Sequence, residues 1–180
     1  QAMSGQRIAV IGNSGGGKST LARKLARHYG LAMTELYTLT WQPDWKRKPT
    51  EEYDAIHTEL IAGDAWILEG LGDHRTMGDR ANRATWVIFI DLPLWQHFWL
   101  ATERHITWRA GNLEHPPAEN PTPPTLELFF RNIWAIDQNW MGNIRKFVDK
   151  LEKQGKRTTR INSVDELTAF SESIGALKKC

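Results

Sequence analysis

Apolar runs of strand length alternate along this chain with apolar residues at helical spacing. Residues 7–11 form a short apolar run ending at Gly12 and predict a strand. Residues 18–28 set Leu21, Ala22, Leu25 and Ala26 at helical spacing. A weaker strand is expected within residues 31–36. Residues 50–62 predict a helix, with Glu51 and Glu52 in its first turn and Tyr53, Ile56 and Leu60 on one face. Residues 65–69 and 86–91 read as strands buried on both faces. Pro93 suits the first turn of the following helix. Residues 157–162 predict the last strand, and Ser163 with Glu166 predicts a capping box for the final helix.

This strand–helix alternation predicts one α/β domain, a parallel sheet with helices on both faces. One segment breaks the rhythm. Residues 111–125 hold Pro116, Pro117, Pro121, Pro123 and Pro124, five of the eight prolines. A loop of about 15 residues inside a compact domain is usually functional or disordered, so this segment is expected to be poorly ordered without ligand.

Composition narrows the class. The 180 residues suit one domain, and 41% hydrophobic with 24% charged residues is ordinary for a soluble globular protein. Lys and Arg outnumber Asp and Glu by only 23 to 21, which does not support a nucleic-acid partner. The most apolar stretch, residues 86–101, is interrupted by Asp91, Pro93, Gln96 and His97 and is too short to span a membrane. No signal-peptide pattern is visible; Gln1 and Ala2, ahead of Met3, read as tag residues. The single cysteine, Cys180, permits no internal disulfide and points to the cytoplasm. Seven of the nine tryptophans fall between Trp66 and Trp140. Core filling is the expected use, and stacking on a base or walling an acceptor pocket is the alternative.

The strongest chemical signal is Gly12-Asn13-Ser14-Gly15-Gly16-Gly17-Lys18-Ser19, followed by Thr20. It matches G-x-x-x-x-G-K-[ST] in full, and a chance match in a chain this long has a probability of roughly half a per cent. Glycines let successive backbone N–H groups face a triphosphate, and the helix start adds its unpaired N–H groups and dipole. Lys18 supplies a cation for the β and γ oxygens, and Ser19 a hydroxyl for Mg²⁺. ATP and Mg²⁺ are therefore the expected ligands. A carboxylate on a neighbouring strand should face the magnesium water shell, and Glu69 and Asp91 both end predicted strands. Arg75, Arg80, Arg83, Arg104 and Arg109 are candidates to stabilise charge on a transferring phosphoryl group. His74 reads as a polar loop residue.

With these pieces in place, the chain resembles the adenylate-kinase-like P-loop proteins, and within them the DNA topology modulation proteins of the FlaR type. The resemblance runs from Ile8 to the last helix. It is carried by residues 12–20, Trp41-Gln-Pro-Asp-Trp45, Trp66-Ile-Leu-Glu-Gly70, Phe89-Ile-Asp-Leu-Pro93, Arg104 and Arg109. It implies a P-loop NTPase fold with a five-stranded parallel sheet of order 2-3-1-4-5 and a lid over about residues 104–130. It further implies an acceptor-binding helix after the second strand and use of ATP with Mg²⁺. Three positions depart from the pattern: Tyr37 replaces an acidic residue, Glu69 a shorter Asp, and Leu113 a third lid arginine.

Two functions stay open. One is a small kinase moving the ATP γ-phosphoryl group to a nucleotide or metabolite. Lys18, Glu69, Arg104 and Arg109 would be catalytic, and Tyr37, Trp41, Gly70 and Arg80 would bind the acceptor. The other is an NTP-binding regulator or slow ATPase acting through a partner, DNA included. The absence of an Asn-Lys-x-Asp base-reading motif argues against a GTPase.

Overall fold

The computed structural model describes residues 5–179; the tag reading of Gln1 and Ala2 and the lone Cys180 lie outside the described residues. Five strands make one sheet: β1 (Arg7–Gly12), β2 (Met33–Glu35), β3 (Trp66–Glu69), β4 (Trp86–Ile90) and β5 (Arg157–Ile161). All pairings are parallel, and the order β2-β3-β1-β4-β5 is the expected one. The central strand alternates. Ile8 and Val10 pack on one face with Leu21, Ala22 and Leu25 of α1 (Lys18–Tyr29). Ala9 and Ile11 pack on the other face. Helices on both sides of a parallel sheet leave the carboxyl ends of its strands as the open edge.

The helices that complete these layers are α2 (Tyr37–Thr40), α3 (Thr50–Ala62), α4 (His74–Arg83), α5 (Leu94–Arg109), α6 (Leu126–Ile136), α7 (Gly142–Lys153) and α8 (Val164–Ser173). A π-helical turn, Asp137–Met141, joins α6 to α7. Helix α3 has its expected bounds but buries Tyr53 and His57, with Ile56 half-buried. Pro93 sits one residue ahead of α5, at its N-cap. The capping box is present in modified form: Ser163 Oγ accepts from the Glu166 N–H, while the Glu166 carboxylate accepts from the Asn162 N–H. His74 belongs to α4, not to a loop, and Asp73 caps that helix by accepting the Arg75 N–H.

The tryptophans divide rather than filling the core together. Trp66, Trp86 and Trp108 are buried, whereas Trp95, Trp99 and Trp134 are 63%, 62% and 54% exposed.

The proline-rich segment is tied down. Trp108 Nε1 donates to Pro121 O (2.7 Å), Trp45 Nε1 to Thr122 O (3.1 Å) and the buried Asn120 Nδ2 to Gln42 O (3.2 Å). The receiving element is a small antiparallel ladder, Trp41–Gln42 against Lys46–Arg47. Its turn holds Asp44 and Trp45 at φ 61° and 55°. That backbone is costly for a bulky side chain. The edge-on contacts of the Trp45 ring with Trp41 and Trp108, together with its bond to Thr122, hold it there.

Candidate active site

The glycine-rich loop leaves β1 and lies directly against its neighbours. A Cβ at Gly12 (φ 154°) would stand 2.4 Å from the Ile90 carbonyl oxygen, and one at Gly15 (φ 73°) 2.6 Å from that of His97. No other residue fits either position without backbone movement. Asn13 is buried beneath the loop, donating from Nδ2 to Ile133 O (2.9 Å) and accepting from the Ser14 N–H at Oδ1 (2.7 Å). His97 Nδ1 pairs with Ser14 O at 3.0 Å. Helices α5 and α6 thus brace the loop through His97 and Ile133.

Helix α1 follows at once, with Gly17 in the left-handed region at its N-cap. No side chain caps it and no acidic residue lies in its first turn, whereas Asp73, Thr125 and Ser163 cap α4, α6 and α8. Its free N–H groups and positive dipole end make an anion site.

Lys18 is buried and its Nζ donates to Asn13 O (2.6 Å). Ser19 Oγ donates to Glu69 Oε2 (3.0 Å), and Glu69 is itself only 4% exposed. Burial pulls the Lys18 ammonium below the ordinary lysine value, opposed by the Glu69 charge and reinforced by Arg104. Burial pushes the Glu69 carboxyl above the ordinary range, opposed by Lys18 and the Ser19 hydroxyl. Arg104 Nε lies buried without a hydrogen-bond partner. Lys18, Ser19, Glu69 and Arg104 therefore form one electrostatic group at the mouth of the loop. Thr20 is exposed in the first turn of α1.

The remaining candidates separate. Asp91 is held by Arg145, whose Nε and Nη2 donate to its two carboxylate oxygens (2.8 and 3.0 Å). Of the two strand-end carboxylates, Glu69 is the one bonded to Ser19, and Asp91 is the one paired with Arg145. Arg109 is exposed at the end of α5, with no hydrogen bond or ion pair among the described residues. The acceptor-binding expectation for Arg80 needs correction. It is 0% exposed, donates from Nη2 to Gly70 O (3.2 Å) and Leu71 O (2.7 Å), and meets His57 Nε2 at 3.1 Å from Nη1. Its two terminal nitrogens shape the turn after β3 while Nε is buried without a partner, and burial lowers its pKa to about 10. Gly70 (φ 113°) begins that turn and donates its N–H to Val10 O (2.9 Å). Tyr37 and Trp41 are half-buried. The Tyr37 hydroxyl finds no partner, and burial, then Glu35, push its pKa up.

Sequence reasoning missed Glu35, His97 and Asn120. Glu35 ends β2 in register with Glu69 and pairs with Arg23. Its position two residues before Tyr37 at a predicted strand end was the available signal.

His57 and His97 are 2% and 1% exposed, and burial lowers each pKa from 6.5 to about 4. Folding therefore favours the neutral rings. Their contribution is fully present above the unfolded value of about 6.5 and is lost as pH falls toward about 4, because the unfolded chain binds protons the folded one refuses. Denaturant midpoints should fall between about pH 7 and about pH 5, by an amount equivalent to about 1–3 kcal/mol per histidine. Equal midpoints at the two pH values would contradict this.

No family model and no curated protein matches the chain. Among solved structures it is similar to shikimate kinase from Acinetobacter baumannii in complex with shikimate, at 17% identity over 94% of this chain and 90% of that one, TM-score 0.53. A gluconokinase from Sinorhizobium meliloti 1021 shares 16% identity over 78% of this chain and 96% of that one, TM-score 0.42. The mouse sulfotransferase SULT7A1 complexed with PAP shares 11% identity over 98% of this chain and 58% of that one, TM-score 0.47. The last two likenesses carry no argument, and the narrower FlaR-type resemblance is not confirmed by these comparisons. At this identity the first likeness shows the fold alone.

Proposed function

We propose that the protein transfers the γ-phosphoryl group of ATP to a small acceptor. The observation that carries this reading is the uncapped start of α1 beside buried Lys18, with Ser19 and Glu69 bonded below it. A purely structural glycine turn needs no buried cation at a free helix start.

The residues present suit a triphosphate with a hard divalent cation. The described residues contain no group of three or more His, Cys, Asp or Glu that could hold a metal alone. Mg²⁺ would instead take oxygens from Ser19, from the nucleotide, and through water from Glu69. When bound, it supplies neutralisation of charge on the phosphates.

In the transfer, the acceptor hydroxyl oxygen bonds to the γ-phosphorus as the bond to the β–γ bridging oxygen breaks. ADP leaves with that electron pair. The hydroxyl proton departs late, by way of the transferred phosphoryl oxygens to water, as a loose transition state allows. Lys18 and Arg104 face the charge on the γ oxygens, and the acceptor lies among Tyr37, Trp41 and the Gly70 turn. Residues 104–130 act as the lid that excludes water, itself an acceptor.

Arg104 and Arg109 divide this reading from a looser one. Arg104→Ala should lower kcat by about 100-fold or more with ATP affinity nearly kept, because its best contacts form with the transition state. Arg109→Ala should stay within about twofold of wild type, since its side chain is solvated. Equal kcat for Arg104→Ala and wild type would remove Arg104 from the mechanism.

A further inference from the structure

Among the described residues, the large apolar side chains left exposed are Trp95, Trp99, Ile106 and Trp134, and all four lie on α5 and α6. On α5 the first three fall at i, i+4 and i+11, a single stripe opposite the buried His97, Ala101 and Trp108. Beside the stripe runs a groove of about 580 Å³ between the two helices. Phe98 and Phe130 pack edge-on within it, and Leu126, Glu127, Arg131 and Trp134 complete its lining.

The four exposed side chains offer roughly 500 Å² of apolar surface, most of the ~800 Å² that each partner buries in a stable interface. The charges on these helices are balanced. Glu127 and Arg131 are bonded to each other on the groove side of α6, and Glu103 and Arg109 are exposed on α5. Such a face has no cationic excess to draw it to an anionic lipid surface or to nucleic acid. Opposite charges one turn apart do suit a copy of the same face, because a two-fold interface makes every contact twice.

Phe98 meets Phe130, and His105 Nε2 meets Pro124 O at 3.0 Å, so α5 and α6 run antiparallel with residue 129 level with about residue 100. One two-fold axis at that level exchanges Glu127 with Arg131 on α6 and Trp95 with Ile106 on α5. We infer that the outward α5–α6 face pairs with the same face of a second copy about this axis. Arg131 of each copy then meets Glu127 of the other, Trp95 of each covers Ile106 of the other, and the two Trp99 rings come together near the centre. The inward faces of the same helices hold His97 and the Ile133 carbonyl against the phosphate loop, so the pairing leaves that loop uncovered.

Sedimentation of the full chain tests this, and dimers are expected at micromolar protein. Trp99→Glu should weaken association at least about 100-fold, with circular dichroism and ATP affinity as in the wild type, since Trp99 is solvated in the single chain. Glu127→Arg and Arg131→Glu should each weaken self-association at least about tenfold, by setting like charges against each other. Mixing those two variants should restore association, because each new side chain then meets its opposite. A wild type that stays monomeric overturns the inference, and binding of that monomer to phosphatidylcholine vesicles would assign the face to lipid instead. A dimer that survives Trp99→Glu lies on another surface and overturns it too. A mixture that associates no better than either charge variant alone overturns the two-fold geometry.

Discussion

Lys18→Ala should weaken ATP binding by about 100-fold while leaving the protein folded. Charge-assisted hydrogen bonds to buried groups are worth about 1.5–3 kcal/mol, and tenfold in affinity is about 1.4 kcal/mol. The cation is also held at a cost: burial lowers its pKa, and its one hydrogen bond goes to Asn13 O. Removing it leaves that carbonyl unpaired but also removes a desolvated charge, and these two effects oppose each other. Thermal unfolding should therefore shift by only a few degrees. Turnover should fall further than affinity, because the ammonium meets more charge in the transition state than in bound ATP. Isothermal titration of folded Lys18→Ala with ATP measures this, and wild-type affinity would overturn the phosphate-site assignment.

Arg80→Ala should have the opposite character, with a large loss of stability. The substitution opens a cavity at a 0% exposed site. It also strips donors from Gly70 O and Leu71 O and the neighbour from His57 Nε2. Orphaned buried acceptors cost about 1–3 kcal/mol each, and the whole change should come to about 3–5 kcal/mol. For a domain of this size that is a fall in Tm of about 10 °C or more. An unchanged Tm with a raised KM for the acceptor would instead restore Arg80 to the acceptor site.

These two residues show where the sequence was readable. The loop around Lys18 is legible because its chemistry demands glycines and a lysine at fixed spacing after an apolar strand. The sheet is legible because Ile8 and Val10 alternate with Ala9 and Ile11, each pair meeting its own helical layer. Helix α4 was hidden because its buried face is Thr76, Met77, Arg80 and Ala81, with little apolar signal. The Asp73 cap was the cue that remained.

The arginines look alike in the sequence, and only helix facing separates them. On α5 the residues turned inward are His97, Ala101, Arg104 and Trp108, spaced at i, i+4, i+7 and i+11. Arg109 falls off that stripe. The apolar pattern misleads here, since Trp95 and Trp99 point outward while His97 and Ala101 face the glycine loop. Small and polar residues are needed there because the loop backbone comes within contact distance of α5 and presents the Ser14 carbonyl to it.

The acceptor side is the least legible part. Glu35, Tyr37 and residues 115–118 come together only in the fold, when the proline-rich segment crosses to the edge strand. Their meeting depends on Asn120, Trp45 and Trp108 anchoring that segment, and none of those bonds has a local sequence pattern.

The central claim is phosphoryl transfer to a small molecule, and ADP release measures it most directly. With ATP and magnesium alone, the rate should be slow, because a closed lid excludes water. Adding pools of nucleosides, nucleoside monophosphates, sugars and small acids should identify one pool that raises the rate by orders of magnitude, with the phosphoryl group recovered on that compound. Acceleration by supercoiled DNA with no response to any small-molecule pool would contradict the account.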